Sequence, residues 1–173
     1  ELPLGHEAVP AVLLEAFECA LDLARDVPRG RLTDDSARVL LTSPLGGADP
    51  AALRRLGRAL RAEATDGSGA APPSAALLRD CLVDARLLAG VDDRLARPAE
   101  RVAAVLSDAA ALVRKGAGAY DVLWSVWSST PWPQRLEAVA RRGGPEGRRA
   151  DHDLDAVLAL FDLAARHDAS DEQ

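Results

Sequence analysis

The chain of 173 residues contains no Met, Ile or Asn and only one lysine, Lys115. A phosphate-binding P-loop needs GxxxxGK[ST], because the ammonium group must reach the β- and γ-phosphates. Lys115 instead lies between Arg114 and Gly116 at the end of a helical pattern. An ordinary P-loop ATPase is therefore excluded for this segment, and no nucleotide cofactor is expected in it. Cysteine is equally sparse: Cys19 and Cys81 stand far apart with no CxxC or metal spacing, so each is expected to be a small buried hydrophobe. Histidine occurs only at His6, His152 and His167. Asp151, His152, Asp153 and Asp155 form an acidic cluster with no second His or Cys at a ligand spacing, so no metal site is expected. That cluster is expected to be solvated in a first helical turn, where negative charge complements the macrodipole. There is no G-x-S-x-G and no indicated Cys/His pair, and no catalytic residue is assigned. No apolar run reaches the ~18 residues of a membrane span and no signal-peptide pattern opens the chain, so a cytoplasmic protein with no membrane contact is expected. With no Met at position 1, Glu1 is expected to be either the boundary of a segment cut from a longer chain or a processed end.

Charge of one sign is also short. Lys and Arg number 21 against 27 Asp and Glu, a net charge of -6. Binding to nucleic acid by bulk charge is excluded, so any such contact must be local. What remains is rich in Ala, Leu, Arg, Asp and Val, a bias that reflects a GC-rich coding sequence. A chain of this length forms one domain that buries roughly 70% of its unfolded surface.

Apolar residues recur with helical period nearly everywhere, and no segment alternates with period two. The expectation is an all-α, irregular domain of about seven to nine helices over residues 1–167 with no substantial sheet, followed by a disordered tail at 168–173. The first helix is placed at 10–26, with Val12, Leu13, Ala16, Phe17, Ala20 and Leu21 inward. Thr33 caps a second through Leu41, and a third spans 50–64. TDGSGAAPPS, residues 65–74, reads as a linker, and Ser74 as the cap of a helix to Val83. A long helix is placed from Pro98 to Lys115, with Gly116 as its C′ residue. The last is placed at 150–167, with Leu154, Val157, Leu158, Phe161 and Ala165 on one face.

Three patterns are candidate binding features. In SPLGGADPAALRRLGRALR, residues 43–61, Gly46 and Gly47 precede Asp49 as an N-cap and Pro50 as the first helical residue. Leu53, Leu56 and Leu60 form one face of that helix, and Arg54, Arg58 and Arg61 a neighbouring one. A glycine turn feeding a helix N-terminus can seat a phosphate, the alternative being a solvated helical corner. Arg141, Arg142, Arg148 and Arg149 flank GGPEG in a flexible loop, a weaker candidate for phosphate contact. Tyr120, Leu123, Trp124 and Trp127 recur at i, i+3, i+4 and i+7. Such a stripe could stack single-stranded bases, but in a chain this poor in aromatics it is expected to anchor the core.

The order of these features resembles a known arrangement. AVLLEAFECALDLARD, then LTDDSARVLLTS, then PLGGADPAALRRL is similar to the accessory 2B subdomain of UvrD/Rep/PcrA-type superfamily 1 DNA helicases. There a short acidic-capped helix leads to a P-P-R-G-I-G-D type loop and a further helix. Pro44, Gly46 and Asp49 match that motif, whereas Leu45 stands in place of its arginine and Ala48 in place of its second glycine. LLTSPLGGADPAALRR, YDVLWSVW and RRADHDLDAVLALFDLAAR are similar to actinobacterial RecB-like helicases, including paired helicase–nuclease motors.

The resemblance implies an accessory domain of an ATP-dependent DNA helicase acting in unwinding and repair. Gly46, Gly47, Asp49, Arg54, Arg58 and Arg61 would meet the backbone of duplex DNA weakly and without sequence preference. MgATP would belong to motor domains of the parent chain, and a second helicase or nuclease subunit is a further implied partner. The alternative functions are a free-standing helical ligand sensor, with Trp124 and Trp127 lining a pocket, or a protein-interaction module.

Overall fold

A computed structural model describes residues 9–27, 30, 32–65 and 71–171. The domain is all-α, with eight α-helices, one 3-10 turn and no strand among the described residues. The helices are α1 (Val9–Ala24), α2 (Asp34–Thr42), α3 (Pro50–Ala64), α4 (Ser74–Val83), α5 (Asp93–Arg114), α6 (Ala119–Ser128), α7 (Trp132–Arg142) and α8 (Gly144–Asp171). The 3-10 turn Ala85–Leu88 joins α4 to α5. His6 and residues 66–70 of the expected linker lie outside the described residues.

α5 is the axis of the domain. Its apolar face, including Ala99, Val102, Leu106 and Ala109, is buried, and α1, α2, α3, α4 and α6 all pack against it. α1 brings Leu13, Ala16 and Cys19 to the same core, each 0% exposed, whereas Phe17 is half-buried. α7 and α8 form an antiparallel hairpin that docks on α6 and α1, mainly through α8, with Trp132 of α7 also packing on α6.

Local signals set several boundaries. Thr33 caps α2 by accepting from the Ser36 amide at 3.1 Å. Gly116, at φ +79°, ends α5 with a bond from Ala117 N–H to the Leu112 carbonyl at 3.1 Å.

Other boundaries differ from expectation. α5 begins at Asp93, and Pro98 lies inside it. The start signal is Asp92, whose carboxylate accepts from the Arg94 amide at 3.0 Å. Ser74 opens α4 without capping it, and its hydroxyl donates to the Gly57 carbonyl of α3 at 3.4 Å. α8 starts at Gly144, so Arg148 and Arg149 are helical rather than in a flexible loop, and the Asp151–Asp155 cluster lies beyond the first turn. Gly147 sits where a Cβ would come 3.0 Å from the Ala140 carbonyl oxygen, so it permits close approach of α7 and α8.

The C-terminal end of α8 is ordered too. Residues 168–171, expected as tail, continue the helix, and the Asp168 carboxylate accepts from the amides of Ala119 and Tyr120 at 2.7 and 2.9 Å. Asp168 thereby caps α6, whose own cap position is Gly118. On α8, Val157 and Phe161 face inward, but Leu158 is 64% exposed and Ala165 is exposed. The aromatic stripe divides similarly: Leu123 and Trp127 are buried, while Trp124 is 51% and Tyr120 40% exposed. Trp124 and Tyr120 are therefore not core anchors. They stand edge-on to Phe161, with ring centroids 5.8 and 5.3 Å away.

Candidate nucleic-acid interface

The stretch 43–61 folds as a tight loop followed by α3, and the loop satisfies itself. Ser43 Oγ donates to the Leu40 carbonyl at 2.7 Å and accepts from the Leu45 amide at 3.2 Å. The Gly47 amide donates to the Ser43 carbonyl at 2.7 Å, and that of Ala48 to the Leu41 carbonyl at 3.0 Å. At the start of α3, Asp49 Oδ1 accepts from the Ala52 amide at 2.6 Å, and Pro50 has no N–H to offer. The Ala52 bond holds the Asp49 carboxyl below its ordinary range, with help from Arg55 and Arg54. A negative side chain thus occupies the anion position at this helix N-terminus.

The two glycines do different things. Gly46 is buried, and a Cβ there would overlap the carbonyl oxygen of Leu41. Gly47 is exposed at φ +71°, a conformation that glycine adopts without steric cost. Leu45 and Ala48, the two departures from the helicase motif, both point inward, with Leu45 only 1% exposed. The loop is seated on the C-terminal end of α2 by its own apolar side chains.

Arg54, Arg58 and Arg61 are all exposed, opposite the buried Leu56 and Leu60. The structure therefore groups the six sequence candidates on one loop–helix unit. Gly46 and Asp49 are occupied with internal contacts, and the arginines are left facing solvent. Arg141, Arg142, Arg148 and Arg149 are also exposed, but they sit at the α7–α8 corner, and Arg141 is paired with Glu137 at 3.0 Å. α3 packs on α2, α4 and α5, so the two arginine groups lie on different parts of the domain.

Two residues were missed from the sequence. Arg55 is exposed beside Arg54, and Arg101 of α5 donates to the Gly46 carbonyl at 2.6 Å, holding the loop from outside. The spacing signal for Arg101 was present but hidden, because a helix begun at Pro98 separates it from Arg94 and Arg97.

A groove of about 1260 Å³ lies on the other flank of α5, between the ends of α1, α2 and α4. Its two arginines are already engaged: Arg79 with Asp80 and Asp34 at 2.7 and 2.9 Å, and Arg114 with the Leu23 carbonyl at 3.2 Å. Neither Trp124 nor Trp127 lines it. Among the described residues no group of His, Cys, Asp and Glu could hold a metal ion, and no helix is long and apolar enough to cross a membrane. No protein-family model matches the chain, and no curated protein or solved structure matches it.

Proposed function

We propose that this domain is a helical accessory module of an ATP-dependent DNA helicase, 2B-like in role. It would contact duplex DNA, weakly and without sequence preference, while motor domains elsewhere hydrolyse ATP. The observation that carries the proposal is the solvent-facing arginine row Arg54, Arg58 and Arg61, set directly behind the Gly46–Asp49 loop in a protein of net charge -6. The contact is assigned to guanidinium groups rather than to loop amides, because the amides of Leu45, Gly47, Ala48 and Ala52 are already bonded. Guanidinium contacts to phosphate oxygens fix position without reading bases.

The test is fluorescence anisotropy of labelled duplexes of unrelated sequence at low salt. The expected dissociation constants are on the order of 10⁻⁴–10⁻⁶ M and equal between sequences. Isothermal calorimetry with MgATP is expected to show no binding by this chain. Absence of duplex binding at low salt would remove the proposal and favour protein docking. That second reading draws on exposed Trp124, Tyr120 and Leu158, an apolar grouping at the α6–α8 seam.

A further inference from the structure

We propose that the seam between α6 and α8 is a docking surface for a cationic amphipathic helix of a partner protein. Tyr120, Trp124 and Leu158 form its apolar centre, and Asp121, Asp155 and Asp162 its acidic border. The seam lies on different elements from the α3 arginines and serves this purpose whether or not those meet DNA.

Phe161 is the floor of the seam, 7% exposed, with the rings of Tyr120 and Trp124 set edge-on to it. Leu158 lies on the same side of α8. Gly147 faces α7, since a Cβ there would stand 3.0 Å from the Ala140 carbonyl oxygen. Leu158 is eleven residues further on, close to three full turns, and so shares the face of Gly147. α7 has 11 residues and covers α8 only to about residue 155. Beyond that point the face is uncovered, and Leu158 is left exposed. α6, which leads into α7 and packs Trp127 on Trp132, continues the same wall. Tyr120 and Trp124 are the two aromatic side chains that the fold leaves exposed among the described residues, and both are here.

The border of this apolar centre carries charge of one sign. α6 has no Lys or Arg, and Asp121 is exposed on it. α8 has no Lys or Arg between Arg149 and Arg166, a stretch that holds four aspartates. Asp155 and Asp162 stand three residues before and four after Leu158, so they share its face. Asp121, Asp155 and Asp162 make no ion pair within 4.0 Å among the described residues. Arg148 and Arg166 lie one turn outside the acidic row and mark its two ends.

This chemistry selects one occupant. Trp and Tyr are the residues that most often anchor a protein interface, and a partner's Lys or Arg gains from both the carboxylates and the Trp124 ring. The described residues offer no sheet edge for an added strand, whereas apolar anchors on neighbouring helix turns suit a helix laid across them. The row from Asp151 to Asp162 spans about 16 Å, roughly three turns of such a helix. A second copy of this chain fits poorly, because a two-fold contact would set the aspartates of one copy against those of the other. Nucleic acid fits poorly too, because its phosphates would meet the same carboxylates.

The experiment is fluorescence anisotropy with the full chain and two labelled peptides of about 18 residues, five helical turns. One carries Leu on one face and Lys on the other, and the second has Glu in place of every Lys. The Leu/Lys peptide is expected to bind with a dissociation constant on the order of 10⁻⁵ M, as a small transient contact does, and the Leu/Glu peptide not at all. Trp124→Ala is expected to weaken binding at least tenfold, and Leu158→Ser several-fold. Asp155→Asn/Asp162→Asn is expected to weaken it about three- to tenfold at low salt and to flatten its salt dependence. Val83→Ser, at a site 61% exposed elsewhere, and Glu100→Gln/Asp108→Asn on α5 are the controls, expected within about twofold of the parent. Folding of each variant is checked by circular dichroism, and should Trp124→Ala unfold, Leu158→Ser and the α8 pair decide. No binding of the Leu/Lys peptide, or equal binding of the Leu/Glu peptide, overturns the proposal. Equal loss from the α5 pair overturns it in favour of bulk charge. A concentration-dependent dimer in sedimentation that Leu158→Ser abolishes overturns it in favour of self-association. Duplex binding that Trp124→Ala abolishes overturns it in favour of nucleic acid on the seam, whereas duplex binding lost only with the α3 arginines leaves both assignments standing.

Discussion

Gly46→Ala offers the sharpest test of what the Gly46–Gly47 pair is for. The added methyl group would overlap the Leu41 carbonyl oxygen and stand 2.7 Å from Leu41 C and Cα, all of them backbone atoms at the end of α2. No side-chain rotation relieves such a clash, so the loop must lift. Overpacking of this kind costs about 1–3 kcal/mol. Lifting also strains the bond from the Ala48 amide to the Leu41 carbonyl, worth about 1 kcal/mol. The expected loss is roughly 2–4 kcal/mol by urea denaturation with unchanged m-value. Gly47→Ala is the internal comparison. Its Cβ has only Arg101 Nη2 nearby, at 3.4 Å, and its φ of +71° leaves a conformational penalty of about 1–2 kcal/mol. If Gly46→Ala stays within about 0.5 kcal/mol of the parent, the ordinary range of surface substitutions, the loop is not seated on α2. Weakened DNA binding by Gly46 variants could then be assigned to direct contact with the ligand.

The tryptophans should separate. Trp127→Ala removes a side chain 6% exposed that packs on Trp132 at 5.3 Å, and should cost about 3–5 kcal/mol in chemical denaturation. Trp124→Ala, at a site 51% exposed, should cost less than half of that, and an equal loss would contradict the placement of Trp124 at the surface. Burial pushes the Cys19 and Cys81 thiols up to about 12. Above pH 9 the unfolded chain releases these protons and the folded chain retains them, so stability should fall between pH 9 and 12. The Cys19→Ala/Cys81→Ala double variant should show a shallower alkaline loss, and in the parent neither thiol should react with Ellman's reagent at pH 8 until the chain unfolds.

The helical class was readable because amphipathic periodicity and caps agree along most of the chain. Thr33, Asp49, Pro50 and Gly116 mark helix ends in the structure as their chemistry suggests. Pro98 misled because proline favours a first turn, and Asp92 supplies the stronger signal six residues earlier. The GGPEG segment misled because Gly147 is there for close helix packing, not for a loop. Trp124 and Tyr120 were misread because α6 is apolar around much of its circumference, so periodicity alone cannot say which side meets solvent. At the candidate site the arginine row was legible from spacing. The occupation of the loop amides was not, since it depends on how residues 43–48 fold back onto α2. The contact of Arg101 with Gly46 spans 55 residues of sequence, and no local pattern encodes it.

The α7–α8 hairpin gives the domain two grades of cooperativity. α7 commits a single fully buried side chain, Trp132, and otherwise lies half-covered along α8. α1 and α5 share one continuous core. Detaching α7 exposes little beyond the contact of Trp132 with Trp127 and the seam with α8, so it opens at a fraction of the global free energy. α8 behaves differently along its length. Its N-terminal half goes with α7, while its C-terminal half is held by Phe161 and by the grip of Asp168 on α6. A force applied at the Arg141–Arg149 corner would therefore be absorbed by a local, reversible fraying and would stop at α6, leaving the packing of α3 on α5 undisturbed.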